Sequence, residues 1–257
     1  MNIPRSFIPS LFTVLNAFCG FMSLIYAMNG NFTLASFFII YAMLFDGFDG
    51  IVARLLNSSS EFGVELDSLS DMVSFGVAPS FIIYNLYFKN IETFGVVISS
   101  LFMVFSALRL ARFNVQLVGF DKDYFKGLPT PIAAVTLCSF VIFYNNKIFS
   151  EEVSIYFIWL LAFLLPALMI SNFKYDTLPK INKQNIKKYP VKFIIILIAA
   201  ILIIITKGEG IFSFCLFYIS SGIIRSFFNF ISPKKKRLSK TAADKQNESV
   251  DPELNLK

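Results

Sequence analysis

Apolar residues run in long stretches along this chain, and polar residues gather in the short breaks between them. A helix that crosses a bilayer needs about 20 mostly apolar residues. By that measure the pattern predicts eight spans, at residues 8–28, 32–56, 62–88, 92–114, 130–147, 152–171, 190–206 and 209–230. The first run is too long for a cleaved signal peptide and lacks a small-residue cleavage site, so it reads as a mature helix. Apolar periodicity stops near residue 231. Residues 232–257 read as a basic, then polar tail without fixed structure. The expected fold class is therefore an all-α polytopic membrane protein of about eight transmembrane helices, with one transmembrane domain at 1–231 and a tail at 232–257.

Charge orients the spans. With the N-terminus in the cytoplasm, 20 of the 23 lysines and arginines fall on the cytoplasmic side, and only Lys89, Lys147 and Lys207 fall opposite. Cytoplasmic loops are enriched in Lys and Arg, so this split supports a cell-membrane protein with both termini inside. The run Lys234 to Arg237 reads as a positive-inside signal that can also attract anionic lipid.

Composition sharpens the picture in two ways. Charged residues make up 16% of the 257-residue chain, against about 25% in soluble domains. There is no histidine, which excludes histidine general bases, Ser-His-Asp and Cys-His nucleophiles and histidine-ligated zinc. The cysteines Cys19, Cys138 and Cys215 lie in apolar runs at no metal-like spacing and read as packing residues.

The second and third spans break the apolar rule. The second carries Asp46, Asp49 and Arg54 near its end, and the third carries Glu65, Asp67 and Asp71. An intramembrane carboxylate costs about 2.5–3.5 kcal/mol on the insertion scale. Asp46, Asp49, Gly50, Ala53 and Arg54 share one helical stripe, and Gly63, Asp67 and Asp71 share another. The short link 57–61 makes the two helices antiparallel neighbours. Asp46 and Asp71 then lie at similar depth, about 14–15 Å from the link. Asp46, Asp49, Asp67 and Asp71 can converge in a pocket open to the cytoplasm. Hard oxygen ligands of this kind suit Mg²⁺ or Mn²⁺, and two ions would form the clamp used in phosphoryl transfer. A set of structural ion pairs is the alternative, with Arg54 as the local cation.

The spacing Asp46-x2-Asp49-Gly50-x2-Ala53-Arg54-x8-Gly63-x3-Asp67-x3-Asp71 resembles the signature of the CDP-alcohol phosphotransferase family. The resemblance implies an integral membrane enzyme with a six-helix core, which moves a phosphate-linked group from a cytidine diphosphate donor to an alcohol and releases CMP. It implies that Asp46, Asp49, Asp67 and Asp71 hold the metals and that Asp71 is the general base. Gly50, Ala53, Arg54 and Gly63 would line the site for the CDP moiety. The segments Ser106 to Asn114, Lys126 to Pro131 and Ser171 to Tyr175 are similar to those of the serine-using branch, as is Thr13-x2-Asn16 before Phe18-Cys19-Gly20.

That likeness implies CDP-diacylglycerol as donor, L-serine as acceptor and Asn16 as a nucleotide contact. Arg109, Arg112, Asn114 and Lys126 become candidates for serine or phosphate. Family likeness also suggests a homodimer, and no nucleic-acid partner is expected. Rival readings are another acceptor, such as glycerol phosphate, inositol phosphate or choline, and a cation-coupled transporter. A transporter would spread its acids toward both faces, whereas these cluster on one side. The seventh and eighth spans have no expected role beyond packing or assembly.

Overall fold

The computed structural model describes residues 7–56, 58, 60–117, 124–176 and 190–231. Each predicted span is a helix there. Helices α1 (Phe7–Met28) and α2 (Phe32–Leu56) form a hairpin. The turn Asn29-Gly30-Asn31 reverses the chain between them. Gly30 takes a φ of +74°, a conformation that side chains resist. Asn31 caps α2, its Oδ1 accepting from the Leu34 N–H at 3.1 Å.

Helix α3 is a continuous rod over 61–88. It starts with Ser60, whose hydroxyl accepts from the Gly63 N–H at 3.1 Å. It runs as α-helix over Glu61–Asp71, widens to a π-turn at Met72–Val77, returns to α at Ala78–Ile83 and widens again at Tyr84–Phe88. Helices α4 (Glu92–Leu117), α5 (Thr130–Tyr144), α6 (Glu151–Ile170), α7 (Pro190–Ile205) and α8 (Gly210–Ile231) follow. Among the described residues five stretches are long and apolar enough to cross a membrane, and one of them, Glu61–Val115, takes in α3 and nearly all of α4. The α5 helix is shorter than its predicted span. The expected tail at 232–257 lies outside the described residues.

Among the described residues one regular element is not helical. Strands β1 (Tyr124–Lys126) and β2 (Lys174–Asp176) pair antiparallel, with Phe125 opposite Tyr175 and Lys126 opposite Lys174. Three-residue strands are too short to show a period of two, so the hydropathy pattern did not reveal them.

The outer surface is apolar, and the core mixes polar side chains with apolar ones such as Ile39, Phe75 and Phe102. Leu11, Val14, Phe18, Phe21 and Ile25 lie along the outer face of α1, while Asn16, Ser23, Ser36 and Ser74 are fully buried. Lipid supplies no hydrophobic drive between helices, so small and polar residues join the contacts while large apolar ones are also free to face the chains. Two close crossings depend on this. A Cβ on Gly20 of α1 would stand 2.5 Å from the Ser74 Oγ of α3, and one on Gly76 would meet the Ser106 Cβ of α4 at 3.3 Å. These crossings press α1 and α4 onto α3 just beyond its acids.

Candidate active site

Asp46 and Asp49 sit in the second half of α2, and Asp67 sits in the second turn of α3. One carboxylate oxygen from each lies within 4.8 Å of the others. Helical spacing explains the pairing: i and i+3 put Asp46 and Asp49 on one face, and the antiparallel link brings Asp67 opposite. Asp71, one turn further along α3, is an electrostatic neighbour of both Asp46 and Asp67. All four predicted carboxylates therefore share one site, although Asp71 is not in the group of three whose oxygens come together. Glu65 is exposed, as its position off the stripe implies.

Helix α1 supplies two hydrogen bonds to the acids. Thr13 Oγ1 donates to Asp49 Oδ2 at 2.9 Å, and Asn16 Nδ2 donates to Asp71 Oδ1 at 3.0 Å. Thr13 and Asn16 are three apart and so share a face. Ser74 Oγ in turn donates to the Asn16 backbone carbonyl at 2.8 Å, where the Gly20 crossing brings the helices together. The π-turn begins directly after Asp71. Such widenings recur at functional sites.

The opposite wall is α4. Arg109 is 7% exposed and interacts electrostatically with Asp71 and Asp46. Its Nη1 donates to Thr130 Oγ1 at 3.0 Å, and its guanidinium lies 5.2 Å from the centroid of the Phe113 ring. Asn114 Nδ2 donates to Ser68 Oγ at 2.9 Å and ties the end of α4 to the acidic turn of α3.

Arg112 does something else. Its guanidinium donates to the carbonyls of Ile170 at 2.9 Å, Lys126 at 2.7 Å, Met169 at 3.0 Å and Ser171 at 3.4 Å. It thus caps the C-terminal end of α6 and anchors β1. Gly127, with φ +82°, makes room for it, since a Cβ there would meet the Met169 carbonyl oxygen at 2.1 Å and Arg112 Nη2 at 2.6 Å. Lys126 has an exposed side chain, and its backbone carbonyl is what Arg112 holds.

The glycines divide by cause. A Cβ on Gly63 would press on the capping Ser60 hydroxyl at 3.1 Å, a local reason for glycine. Gly50 has no neighbour closer than Arg54 Nη2 at 4.0 Å, so protein packing does not demand it. Space is open beside the acids there. Arg54 is exposed and donates from Nε to its own helix at the Gly50 carbonyl, 2.7 Å away, and Ala53 is half-buried on the same stripe.

A cation fits this donor set. The Asp67 Oδ1 is buried with no hydrogen-bond partner among the described residues. A buried carboxylate oxygen left bare is costly, and the three gathered carboxylates repel one another. Oxygen donors of this kind are the ligands that divalent hard cations take. Sequence reasoning did not single out Thr130, Ser68 or Ser74. Thr130 lies in the marked segment Lys126 to Pro131 without a role of its own, and nothing in the spacing marks Ser68 or Ser74, because their partners lie on other helices.

Comparison with known proteins agrees with this geometry. The CDP-alcohol phosphatidyltransferase family model matches residues 6–167. A CDP-diacylglycerol–serine O-phosphatidyltransferase of Helicobacter pylori is 39% identical over 225 residues, 88% of this chain and 93% of that protein. One of the same name from Methanocaldococcus jannaschii is 36% identical over 216 residues, covering 83% and 90%. An archaetidylserine synthase of Methanothermobacter thermautotrophicus is 38% identical over 170 residues, covering 65% and 69%. With its acids at the family spacing and brought together across α2 and α3, the chain belongs to the CDP-alcohol phosphatidyltransferase family.

Proposed function

We propose that this protein transfers the phosphatidyl group of CDP-diacylglycerol to the hydroxyl of L-serine and releases CMP. The carrying observation is the meeting of Asp46, Asp49 and Asp67 within 4.8 Å, with Asp71 beside them and hydrogen-bonded by Asn16. The serine transferases among its relatives support serine as the acceptor.

Each residue then has a task. Asp46, Asp49 and Asp67 would hold Mg²⁺ or Mn²⁺, and Asp71 borders a second ion position. Such ions supply charge neutralisation to the diphosphate and to the departing CMP. Asn16 holds Asp71 through Oδ1, which leaves Oδ2 to take the serine hydroxyl proton. The freed oxygen attacks the phosphorus bearing the diacylglycerol, and the bond from that phosphorus to the CMP oxygen breaks. Displacement is direct, with no covalent enzyme intermediate. Gly50 and Ala53 leave the room in which the nucleotide lies, and Arg54 and Arg109 offer guanidinium forks to phosphate or carboxylate. Asn114 keeps the α4 wall in register with the acids, and Lys126 adds positive charge at the rim.

The same reading places the site and both termini on the cytoplasmic face, where serine is available. It treats residues 1–231 as one catalytic unit and the chain as a homodimer. The test is to incubate purified protein with CDP-diacylglycerol and a panel of labelled alcohols. Phosphatidylserine formation is the expected result. CMP release with a different alcohol only would overturn the acceptor, and no CMP release with any alcohol would overturn the chemistry.

A further inference from the structure

Helix α8 carries none of the sequence motif, yet it reaches the site. Tyr218, near its middle, is an electrostatic neighbour of the Arg109 guanidinium. Its ring stacks on Tyr175 of β2, with centroids 5.5 Å apart and planes at 27°. Tyr175 is seated on Gly222, one turn further along α8, where a Cβ would meet the ring at 2.2 Å. A side chain at 222 would evict the ring, which gives this glycine a specific purpose.

Tyr175 is 1% exposed, and its hydroxyl is buried with no hydrogen-bond partner among the described residues. Buried hydroxyls are nearly always partnered, so this one calls for an explanation. Burial pushes the Tyr175 hydroxyl up to about 12, which keeps it a neutral donor in need of an acceptor. Its backbone is fixed from the α4 side as well. Arg112 holds the Lys126 carbonyl of β1, Gly127 N–H donates to the Phe173 carbonyl at 2.8 Å, and Phe125 pairs with Tyr175 in the ladder. The helix that carries Arg109 thus also sets the position of Tyr175.

We infer that Tyr175, held between Tyr218 and Gly222, forms the acceptor-selecting wall of the site, its hydroxyl donating to the carboxylate of the amino-acid acceptor beside Arg109. This inference rests on the serine reading above and deepens it. A site built to hydrogen-bond one polar group rejects analogues that lack it, because the donor is otherwise left unpaired. It also gives α8 a part in choosing the substrate rather than in packing alone.

The test compares wild type, Tyr175→Phe and Gly222→Ala as purified full-length chains, measuring KM for serine and for CDP-diacylglycerol separately, with thermal unfolding as a fold control. Tyr175→Phe removes one oxygen and keeps the ring. It should raise KM for serine about tenfold while KM for CDP-diacylglycerol stays within twofold. Gly222→Ala should move serine KM in the same direction by displacing the ring. Should Gly222→Ala fail to fold, Tyr175→Phe decides alone. An unchanged serine KM in folded Tyr175→Phe, or a parallel rise in both KM values, overturns the inference and leaves the proposed function standing. A wild-type chain that makes no phosphatidylserine overturns the acceptor reading and this inference with it.

Discussion

Asp71 is 7% exposed and, among the described residues, receives one side-chain hydrogen bond, from Asn16 to Oδ1. Replacing it with asparagine keeps the shape and removes the basic oxygen. Asp71→Asn should lower CMP release by about 10²- to 10⁴-fold, the usual contribution of a positioned base, with the protein still folded in the membrane. Near-normal turnover in the purified variant would end the assignment. Thr13 stands one step back from the chemistry. Its hydroxyl orients Asp49, so Thr13→Val should raise the Mn²⁺ concentration for half-maximal activity by about 10- to 100-fold, as loss of an outer partner does elsewhere. A metal titration of both proteins reads this directly, and superimposable curves would show that the bond is incidental.

Among the elements, α3 matters most, because its first half carries acids and its second half carries the core. Its change from α to π after Asp71 coincides with the crossings at Gly20 and Gly76. In a bilayer such crossings depend on close backbone approach, and added volume has nowhere to go. Gly20→Ala should cost about 1–3 kcal/mol of stability, visible as a lower thermal midpoint in detergent. It should also weaken catalysis, since Asn16 sits one turn away on the same helix. A variant as stable as wild type would mean that α1 and α3 can part without penalty. The β1–β2 ladder is the second element of note. Arg112 gives four hydrogen bonds to carbonyls that helix and strand geometry leave open, so the ladder and the end of α6 are clamped to α4.

For the whole molecule, Asp46 and Asp71 face Arg109, Asp49 and Asp67 crowd in beside them, and one guanidinium does not balance four carboxylates without a cation. Chelation with EDTA should abolish activity, and Mg²⁺ or Mn²⁺ should restore it. Full activity in chelator would remove the metal from the proposal. Orientation is tested separately. If both termini face the cytoplasm, trypsin should cut the basic run 234–237 in inside-out vesicles and spare it in right-side-out ones. Cleavage in both preparations, or in right-side-out vesicles alone, would refute the orientation.

Hydropathy runs alone located the eight helices, since long apolar stretches are what a bilayer accepts. Helical periodicity determined that Asp46 and Asp49 share a face, as do Asp67 and Asp71, because residues three and four apart stack along a helix whatever lies around them. Only the tertiary structure decided which partners those acids have. Thr13, Asn16 and Arg109 come from helices far away in sequence, and their contacts depend on where α1 and α4 cross α3. It likewise decided that Arg112, three residues from Arg109, faces carbonyls while Arg109 faces acids. Spacing could mark the pair, but a difference of about 60° around a helix has meaning only when the neighbours are in place. Tyr175 ended a segment the sequence marked without a role, and Tyr218 and Gly222 were invisible, because packing between a strand and the last helix leaves no periodic trace along the chain.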